Sequence, residues 1–307
     1  MDFRLCRSRS YAPEQPRGQA AGPAIGRRLP CYFLPLRNRQ VSWETMWPRI
    51  GPTPTYAIFY LLGIALHFVL SRRIAKQAGL QRRVWIVTSL CYLVGMFFGA
   101  KLLYDLGHGL LDVPALLHAE HYMAGGLWGG MLAYFALAVP AVLVLSRQRL
   151  AALDLVATTL PIPWIAAKIG CLLNGCCYGR PCSLPWAITF PEGARGAPAG
   201  VPVHPSQLYE IGIMLIVLFV FTRLKSDRWR GTKLPWFLTL YGLGRAATDL
   251  LRGDAEHCLL PGVLTLTQLF CSIAAVVGLL VITYWFRTPS DLIRVDNNNA
   301  FGQQEHG

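Results

Sequence analysis

Charged side chains inside long apolar segments are the first candidates for chemistry, because each costs about 2.5 to 3.5 kcal/mol to insert into a membrane. Residues of this kind are Asp154, Lys168, Glu210, Arg245, Asp249 and Arg252. Arg245 and Asp249 are four residues apart and would share one helix face with Tyr241. A guanidinium held by its own carboxylate can still bind a phosphate through two parallel hydrogen bonds. We therefore expect Arg245 and Lys168 to bind one phosphate, with a purely structural ion pair as the alternative.

Residues 168–182, KIGCLLNGCCYGRPC, concentrate cysteine and glycine. The four cysteines are separated by five, one and five positions, so they form no paired C-x2-C knuckle of the kind that binds zinc. We expect no metal here, and a zinc or iron–sulfur site is the alternative. Gly170, Gly175 and Gly179 permit close packing of helices and would then end the helix. Asn174 would need a hydrogen-bond partner inside the membrane.

Residues 201–210, VPVHPSQLYE, have the pattern of a helix start. Ser206 is a good N-cap residue, and Gln207 and Glu210 would then lie in the first turn. His204 lies just before this helix, where its pKa is easily tuned. These polar residues are candidates for substrate binding, with a simple helix start as the alternative.

Two further segments offer close approach to a substrate. Residues 123–132, MAGGLWGGML, carry Gly125 and Gly126, whose small size permits close approach of another helix or of a lipid headgroup. Tyr56 follows two prolines at the start of an apolar segment. An aromatic residue of the membrane interface is the alternative explanation for Tyr56.

The composition indicates which kind of protein must position these residues. Of 307 residues, 53% are hydrophobic and only 15% are charged, against about 25% charged in soluble domains. The 29 Lys and Arg residues exceed the 16 Asp and Glu residues, for a net charge of +13. In so apolar a chain, this surplus favours an anionic membrane surface over nucleic acid. The nine cysteines are too few for a disulfide scaffold.

Seven apolar windows approach the length of about 20 residues that a membrane-spanning helix needs. They are residues 54–70, 84–106, 124–145, 153–177, 207–222, 234–251 and 264–286. None alternates with a two-residue period, so the expected fold is an all-α polytopic membrane protein with seven transmembrane helices. Twelve Lys and Arg residues lie in the loops after the first, third and fifth windows. Because such loops stay in the cytoplasm, we expect a periplasmic N-terminus and a cytoplasmic C-terminus.

The ends of the chain differ in composition from its middle. Residues 1–45 carry eight arginines and no apolar core of signal-peptide length. We expect residues 1–45 to be either a disordered basic extension or sequence upstream of a start at Met46. The seven-helix domain is then expected at 46–288, followed by a polar cytoplasmic tail at 289–307.

The order of these motifs resembles that of the phosphatidylglycerol–prolipoprotein diacylglyceryl transferase family of bacterial inner membranes. The likeness runs from residue 47 to residue 286. Its pieces are the Pro-rich entry with Tyr56, Gly125-Gly126-Leu127, Asp154, the signature G-x-x-x-N-G-x-x-x-G at 170–179, HPSQLYE at 204–210, Tyr241-x-x-x-Arg245 with an acid at 249, and LTLTQLFC at 264–271. Each piece is short, and their joint order is specific.

The resemblance implies transfer of a diacylglyceryl group from phosphatidylglycerol to the lipobox cysteine thiol of a prolipoprotein signal peptide, with release of glycerol phosphate. It implies a multi-pass enzyme of the inner membrane that needs no cofactor and binds no nucleic acid. The catalytic residues that it implies are Arg245, Lys168, Tyr241 and Asp249. The substrate-binding residues that it implies are Tyr56, Gly125, Gly126, Asn174, Gly179, His204, Gln207 and Glu210.

The chain departs from the family pattern at five positions. Lys168 stands where an arginine is usual, and Asp249 stands where the acid is usually longer. Cys171 and Cys176 replace the usual asparagine and acid of the signature, and Ala124 replaces a usual histidine.

The histidine missing at Ala124 bears on how the substrate thiol loses its proton. Such a thiol has a pKa near 8.5, so a base or a positive field must assist. His204 and His121 are substitutes for the base by position only. Alternative functions are a divergent paralogue that acts on another acceptor, and a non-catalytic lipid-binding protein or transporter.

Overall fold

The computed structural model describes residues 41–42, 49–50, 53–102, 127–194, 196–224, 229–253, 258–260 and 264–287. Within these ranges the chain is mostly helical. The helices are α1 (Thr55–Gln77), α2 (Arg82–Val94, continued by a π-helical segment at Gly95–Gly99), α3 (Leu127–Leu145), α4 (Arg149–Thr158), α5 (Pro161–Asn174), α6 (Ser206–Arg223), α7 (Lys233–Asp249) and α8 (Leu266–Arg287). Short strands are β1 (Val41–Ser42), β2 (Arg49–Ile50), β3 (Thr53–Pro54), β4 (Ile188–Thr189), β5 (Pro202–Val203), β6 (Cys258–Leu260) and β7 (Leu264–Thr265).

Much of the described helical surface suits lipid rather than water. Five helical segments are long and apolar enough to cross a membrane, namely Thr55–Gln77, Arg82–Leu102, Arg149–Asn174, Ser206–Arg223 and Thr267–Arg287. A shorter apolar helix spans Gly129–Leu145. Large apolar side chains cover the outer faces, where Val144 is 81% exposed and Leu280 is 62% exposed. The α-helical membrane fold is confirmed, and the seven-span count and the orientation stay predictions.

The fourth predicted window, residues 153–177, differs from the structure in its continuity and in its end. The structure divides it into α4 and α5, because Pro161 lacks a backbone N–H and favours the first turn of a new helix. Helix α5 ends at Asn174, where Gly175 adopts a left-handed φ of 73°. Cys176 and Cys177 therefore lie beyond the helix and not inside it.

The core of the bundle forms around α4 and α5. Buried side chains of α4 and α5 pack against those of α3, α6 and α7. The cluster includes Val156, Leu160, Trp164, Tyr134, Met214 and Phe237. Helix α5 packs on α1 and α6, α6 on α7, and α7 on α8. A Cβ on Gly170 would lie 2.8 Å from Phe59 Cβ, so the glycine lets α5 approach α1 closely. The predicted helix-packing role of Gly170 is therefore confirmed.

Asp154, one of the charged residues inside an apolar segment, has a structural partner. Its carboxylate accepts hydrogen bonds from the backbone N–H of Gly231 at 2.9 Å and of Lys233 at 3.0 Å. These donors lie at the start of α7, where the first backbone N–H groups of a helix lack partners. Asp154 thus fixes the start of α7 against α4.

A small sheet covers the end of the bundle at which α5 ends and α6 begins. Strand β4 pairs with β5 antiparallel and with β1 parallel. Ile188, Phe190, Ala197 and Val203 form a separate apolar cluster under this sheet. Strand β1 falls within the predicted extension at 1–45, whose other residues, like the predicted tail at 289–307, lie outside the described residues. The domain boundaries remain predictions.

Candidate active site

Five helix ends meet at this covered end of the bundle. Gly170 near the end of α5 lies against Tyr56 at the start of α1. Lys168 of α5 contacts Glu210 in the first turns of α6, and Glu210 lies near Arg245 of α7. Contacts of α7 with the start of α8 complete the group. Polar residues far apart in sequence are therefore assembled at one level of the bundle.

The Glu210 carboxylate is the centre of this assembly. Lys168 Nζ donates to Glu210 Oε1 at 2.7 Å, and both side chains are almost fully buried. Arg245 Nε and Arg252 Nη1 each lie 3.9 Å from the same oxygen. Trp164 Nε1 donates to the other carboxylate oxygen at 3.3 Å. Lys168 and Arg245 do converge, as the sequence indicates, and in this structure their shared anion is Glu210.

Arg245 is held from the other side by Asp249. Arg245 Nη1 donates to Asp249 Oδ1 at 2.9 Å, which confirms the predicted pair on one helix face. Thr265 Oγ1 donates to Asp249 Oδ2 at 2.5 Å. Thr265 and Gln268 exchange backbone and side-chain hydrogen bonds of 3.0 Å, which is a capping box at the start of α8. The Arg245 guanidinium is thus oriented by two helices.

The described part of this cluster combines cations and carboxylates. Counted as ionised, Lys168, Arg245 and Arg252 supply three positive charges within the described site, and Glu210 and Asp249 supply two negative ones. Buried charges in proteins are normally paired, because an uncompensated ion is costly to remove from water. Lys168 and Arg245 are therefore held next to each other by shared carboxylates, in an arrangement that could bind an anionic group.

Two buried polar atoms at the site lack a hydrogen-bond partner among the described residues. They are the Tyr241 hydroxyl and Gln207 Oε1. The Tyr241 ring packs edge-on against Trp164 with ring centroids 5.2 Å apart, which places it beside the indole that holds Glu210. Because buried polar groups are rarely left unpaired, both atoms are available to bind a ligand.

The first turn of α6 fixes the segment that follows α5. Ser206 is the first residue of α6 and not its N-cap, so that prediction was wrong; Pro205 takes the cap position. The Ser206 hydroxyl instead donates to the carbonyl oxygen of Cys177. Gln207 Nε2 donates to the carbonyl oxygen of Cys176 at 2.7 Å. The two side chains therefore hold the cysteine segment in place.

Cys171, Cys176 and Cys177 form a group of thiols next to the charged cluster. Their sulfur atoms all lie within 4.8 Å of one another. Hydrogen bonds from the thiols of Cys171 and Cys176 hold the pKa of Cys177 well below its usual range. The positive charges of Lys168 and Arg252 act in the same direction, so these cations lie close to the thiols.

His204 and Gly179 are in direct contact just before the start of α6. Gly179 N donates to the carbonyl oxygen of His204 at 2.9 Å, and a Cβ on Gly179 would lie 2.4 Å from His204 Cβ. This close contact gives Gly179 a packing role. His204 Nδ1 lies 3.2 Å from the Tyr209 hydroxyl, and burial lowers the pKa of its imidazole. A neutral imidazole at neutral pH is compatible with a base.

Comparison with known proteins agrees with the geometry. The family described as prolipoprotein diacylglyceryl transferase matches residues 49–284. The chain belongs to this family.

Relatives in this family come from several bacteria and carry the name phosphatidylglycerol–prolipoprotein diacylglyceryl transferase. The Bordetella parapertussis protein is 31% identical over 218 residues, which cover 66% of this chain and 80% of the relative. The Pseudomonas putida protein is 32% identical over 250 residues, covering 77% of this chain and 91% of the relative. The Nitrosomonas europaea protein is 33% identical over 233 residues, covering 71% and 79% respectively.

The remaining residues that the family resemblance implies are placed in different ways. Asn174 is buried at the end of α5, next to the cysteine segment. Tyr56 lies in the first turn of α1 and stacks on Tyr60 with ring centroids 5.8 Å apart. Gly125 and Gly126, like the departure at Ala124 and the substitute base His121, lie outside the described residues.

A small apolar crevice lies between α1, α2 and α5. Residues that line it include Tyr60, Tyr92, Met96, Leu160, Trp164 and Ala167. Trp164 also touches Glu210, and Ala167 precedes Lys168 along α5. The crevice therefore adjoins the charged cluster and offers it an apolar neighbour.

Two residues of the site, Trp164 and Thr265, were not predicted from the sequence, and Arg252 was named only as a charge inside an apolar segment. Arg252 follows Asp249 by three positions, so helical spacing from Arg245 and Asp249 was a usable signal for it. Trp164 and Thr265 bind the two carboxylates from other helices. No local pattern indicates contacts of this kind, because they depend on how the helices pack.

Proposed function

We propose that this chain transfers the diacylglyceryl group of phosphatidylglycerol to the lipobox cysteine thiol of prolipoproteins. Its membership of the prolipoprotein diacylglyceryl transferase family supports this activity. The single structural observation that carries it is the buried cluster around Glu210, in which Lys168 and Arg245 converge on one carboxylate. Phosphatidylglycerol carries one negative charge on its phosphate, and guanidinium and ammonium groups such as those of Arg245 and Lys168 bind phosphate.

The reaction forms a carbon–sulfur bond and breaks a carbon–oxygen bond. The thiolate attacks the carbon of the diacylglyceryl group that is bonded to a phosphate oxygen. The electron pair of the broken carbon–oxygen bond stays on that oxygen, and glycerol phosphate leaves. Negative charge therefore grows on the phosphate, and fixed cations near it lower the barrier. Arg245 and Lys168 supply this stabilisation, and Asp249 keeps the Arg245 fork in position.

Other residues bind the substrates around this centre. The Tyr241 hydroxyl, which lacks a partner among the described residues, donates to the phosphate or the glycerol. Tyr56, Asn174, Gln207, His204, Glu210, Gly179, Gly125 and Gly126 complete the substrate-binding set.

We further propose seven spans in the bacterial inner membrane, with the N-terminus in the periplasm and the C-terminus in the cytoplasm. In that orientation the basic loops contact the cytoplasm, where such loops are retained. The charged cluster then lies towards the periplasmic face. Both the lipid and the signal peptide of a prolipoprotein reach such a site from within the membrane.

The test is complementation of a bacterium depleted of its own transferase, with mass spectrometry of a reporter lipoprotein. We expect the wild-type chain to restore the diacylglyceryl addition and Arg245→Ala to abolish it. Lys168→Arg keeps the charge and adds a planar fork, so it is expected to retain the modification. Arg223→Ala is a matched control, because Arg223 is an exposed arginine at the other end of α6.

Two outcomes contradict this proposal. If Arg245→Ala still modifies the lipoprotein, the Glu210 cluster is not the phosphate site. A wild-type chain that inserts into the membrane without restoring modification favours a paralogue with another acceptor or a lipid-binding protein. Immunoblots of the membrane fraction establish insertion for every variant.

A further inference from the structure

The backbone after α5 brings together three thiols that are spread over seven positions in the sequence. Gly175 ends α5 in a Schellman motif, in which Cys176 N donates to the carbonyl oxygen of Cys171 at 3.2 Å. This motif folds the chain back, so Cys176 lies over Cys171. Cys177 then has a φ of 58° and is the one non-glycine residue of the described chain with a positive φ.

This conformation is fixed by hydrogen bonds from another helix. Ser206 and Gln207 donate to the carbonyl oxygens of Cys177 and Cys176. A non-glycine residue at positive φ is strained and persists only where its surroundings impose it. The sulfur atoms are thus oriented by the protein backbone before any ligand binds.

The distances suit a metal ion with thiolate ligands. The three sulfur atoms lie within 4.8 Å of one another. Sulfur atoms around a tetrahedral zinc ion lie about 3.8 Å apart, given a Zn–S distance of about 2.3 Å. Side-chain rotations that move each sulfur by roughly 1 Å would therefore complete three of the four zinc ligands.

We propose that Cys171, Cys176 and Cys177 bind a zinc ion whose fourth position takes the cysteine thiol of the acceptor peptide. Soft thiolate ligands select zinc among the common divalent ions. No further His, Cys, Asp or Glu joins the group among the residues that the structure describes. Three protein ligands with one exchangeable position are the pattern of catalytic zinc sites. The identity of the fourth ligand rests on the proposed function, and the metal site itself does not.

The charges around the thiols support this assignment. Zinc with three thiolates carries one negative charge, and a fourth thiolate raises this to two. The positive charges of Lys168 and Arg252 act on Cys177. These neighbouring cations offset the negative charge of the site.

Binding at the fourth position gives the acceptor thiol a route to its reactive form. The protein thiols bind the ion as thiolates, so any protons that they carry go to solvent, and the acceptor thiol releases its proton when it becomes a ligand. The acceptor thiolate then forms the carbon–sulfur bond while the carbon–oxygen bond to the phosphate breaks. No oxidation or reduction takes place. At pH 7 a free thiol with a pKa of about 8.5 is only about 3% ionised, so metal binding raises the thiolate fraction about 30-fold.

The first experiment measures the metal directly. Wild-type protein, purified in detergent under reducing conditions, is expected to hold about one zinc ion per chain, measured by plasma mass spectrometry. Cobalt(II) added to the metal-depleted protein is expected to give sulfur-to-cobalt charge-transfer absorption and tetrahedral d–d bands. Cys176→Ser and Cys177→Ser should lose both signals, and Cys91→Ser in α2 should keep both. Thiol mass spectrometry of the same samples reports any disulfide.

The second experiment tests the fourth ligand. A lipobox peptide with its cysteine is expected to strengthen the cobalt charge-transfer band, and the same peptide with serine is not. Transfer by Cys176→Ser should fall up to about 30-fold at pH 7, and the gap should narrow towards pH 9 as the free thiol ionises. Cys91→Ser should follow the wild-type pH profile.

The outcomes separate this inference from the proposed function. A wild-type protein with neither zinc nor a cobalt–thiolate spectrum, or with a disulfide among the three cysteines, overturns the metal site even if transfer is intact. If the protein binds zinc but does not modify lipoproteins, the proposed function is wrong and the proposed metal site stands. Transfer that continues at pH 7 after all metal has been removed overturns the role of the fourth position. A cobalt spectrum that does not change when the cysteine peptide is added also overturns it.

Discussion

The Lys168–Glu210 pair gives the sharpest prediction, because its contribution to stability can be worked from the distances. At an effective dielectric constant of about 20, opposite charges 2.7 Å apart attract by roughly 6 kcal/mol, and those 3.9 Å apart by roughly 4 kcal/mol. These gross attractions offset the cost of burying the ions. Glu210→Gln removes the central anion and leaves the buried cations Lys168 and Arg245 without this carboxylate. We expect the free energy of unfolding to fall by about 3 to 5 kcal/mol.

The assay is a double-mutant cycle with Lys168→Met in detergent micelles, followed by reversible unfolding in SDS. Lys168→Met alone should cost less than Glu210→Gln, because Arg245 and Arg252 still neutralise the carboxylate. The double variant should recover part of the loss, with a coupling energy of about 2 to 3 kcal/mol. Glu192→Gln is the control, since Glu192 is exposed in the turn that follows β4.

Two results would refute the reasoning. A coupling energy below about 0.5 kcal/mol would mean that the pair does not stabilise the site. A double variant that is both stable and fully active would show that Lys168 only balances Glu210. In that case the phosphate role would rest with Arg245 alone.

Three further predictions follow from single contacts. Tyr241→Phe should leave unfolding unchanged and lower transfer by up to about tenfold, the worth of one hydrogen bond; unchanged kinetics would contradict a substrate contact. Gly179→Ala places a Cβ 2.4 Å from His204 Cβ and should cost about 1 to 3 kcal/mol by thermal unfolding, whereas Gly212→Ala, with open space at that position, should not. Asp154→Ala should cost about 1 to 2 kcal/mol through loss of the α7 cap, and an unchanged midpoint would refute that role.

Contacts set by helical spacing were predictable from the sequence, and contacts between helices were not. The pair of Arg245 and Asp249 follows from four-residue spacing alone, and the structure confirms it. The sequence also indicated that Lys168 and Arg245 converge. It did not indicate that Glu210 is their common partner, because that contact depends on the packing of α5, α6 and α7.

Helix ends were the least predictable feature, since hydrophobicity reports composition and not backbone geometry. The window at 153–177 is apolar throughout its length, yet Pro161 and Gly175 divide and end it. Ser206 has the chemistry of an N-cap, but the constrained Pro205 occupies that position and frees the serine hydroxyl to bind Cys177. In both cases a backbone property of proline or glycine outweighs side-chain pattern.

The cysteine group shows how a contact that depends on backbone geometry, and not on sequence spacing, bears on function. Spacings of five, one and five positions match no knuckle, so the sequence argued against a metal site. A helix that ends in a Schellman motif brings residues five positions apart into contact, as it does Cys171 and Cys176. The same motif lies about two helical turns beyond Lys168 along the chain, and its thiols are close to Lys168 and Arg252. One glycine at 175 therefore sets both the end of α5 and the position of the thiols beside the phosphate site.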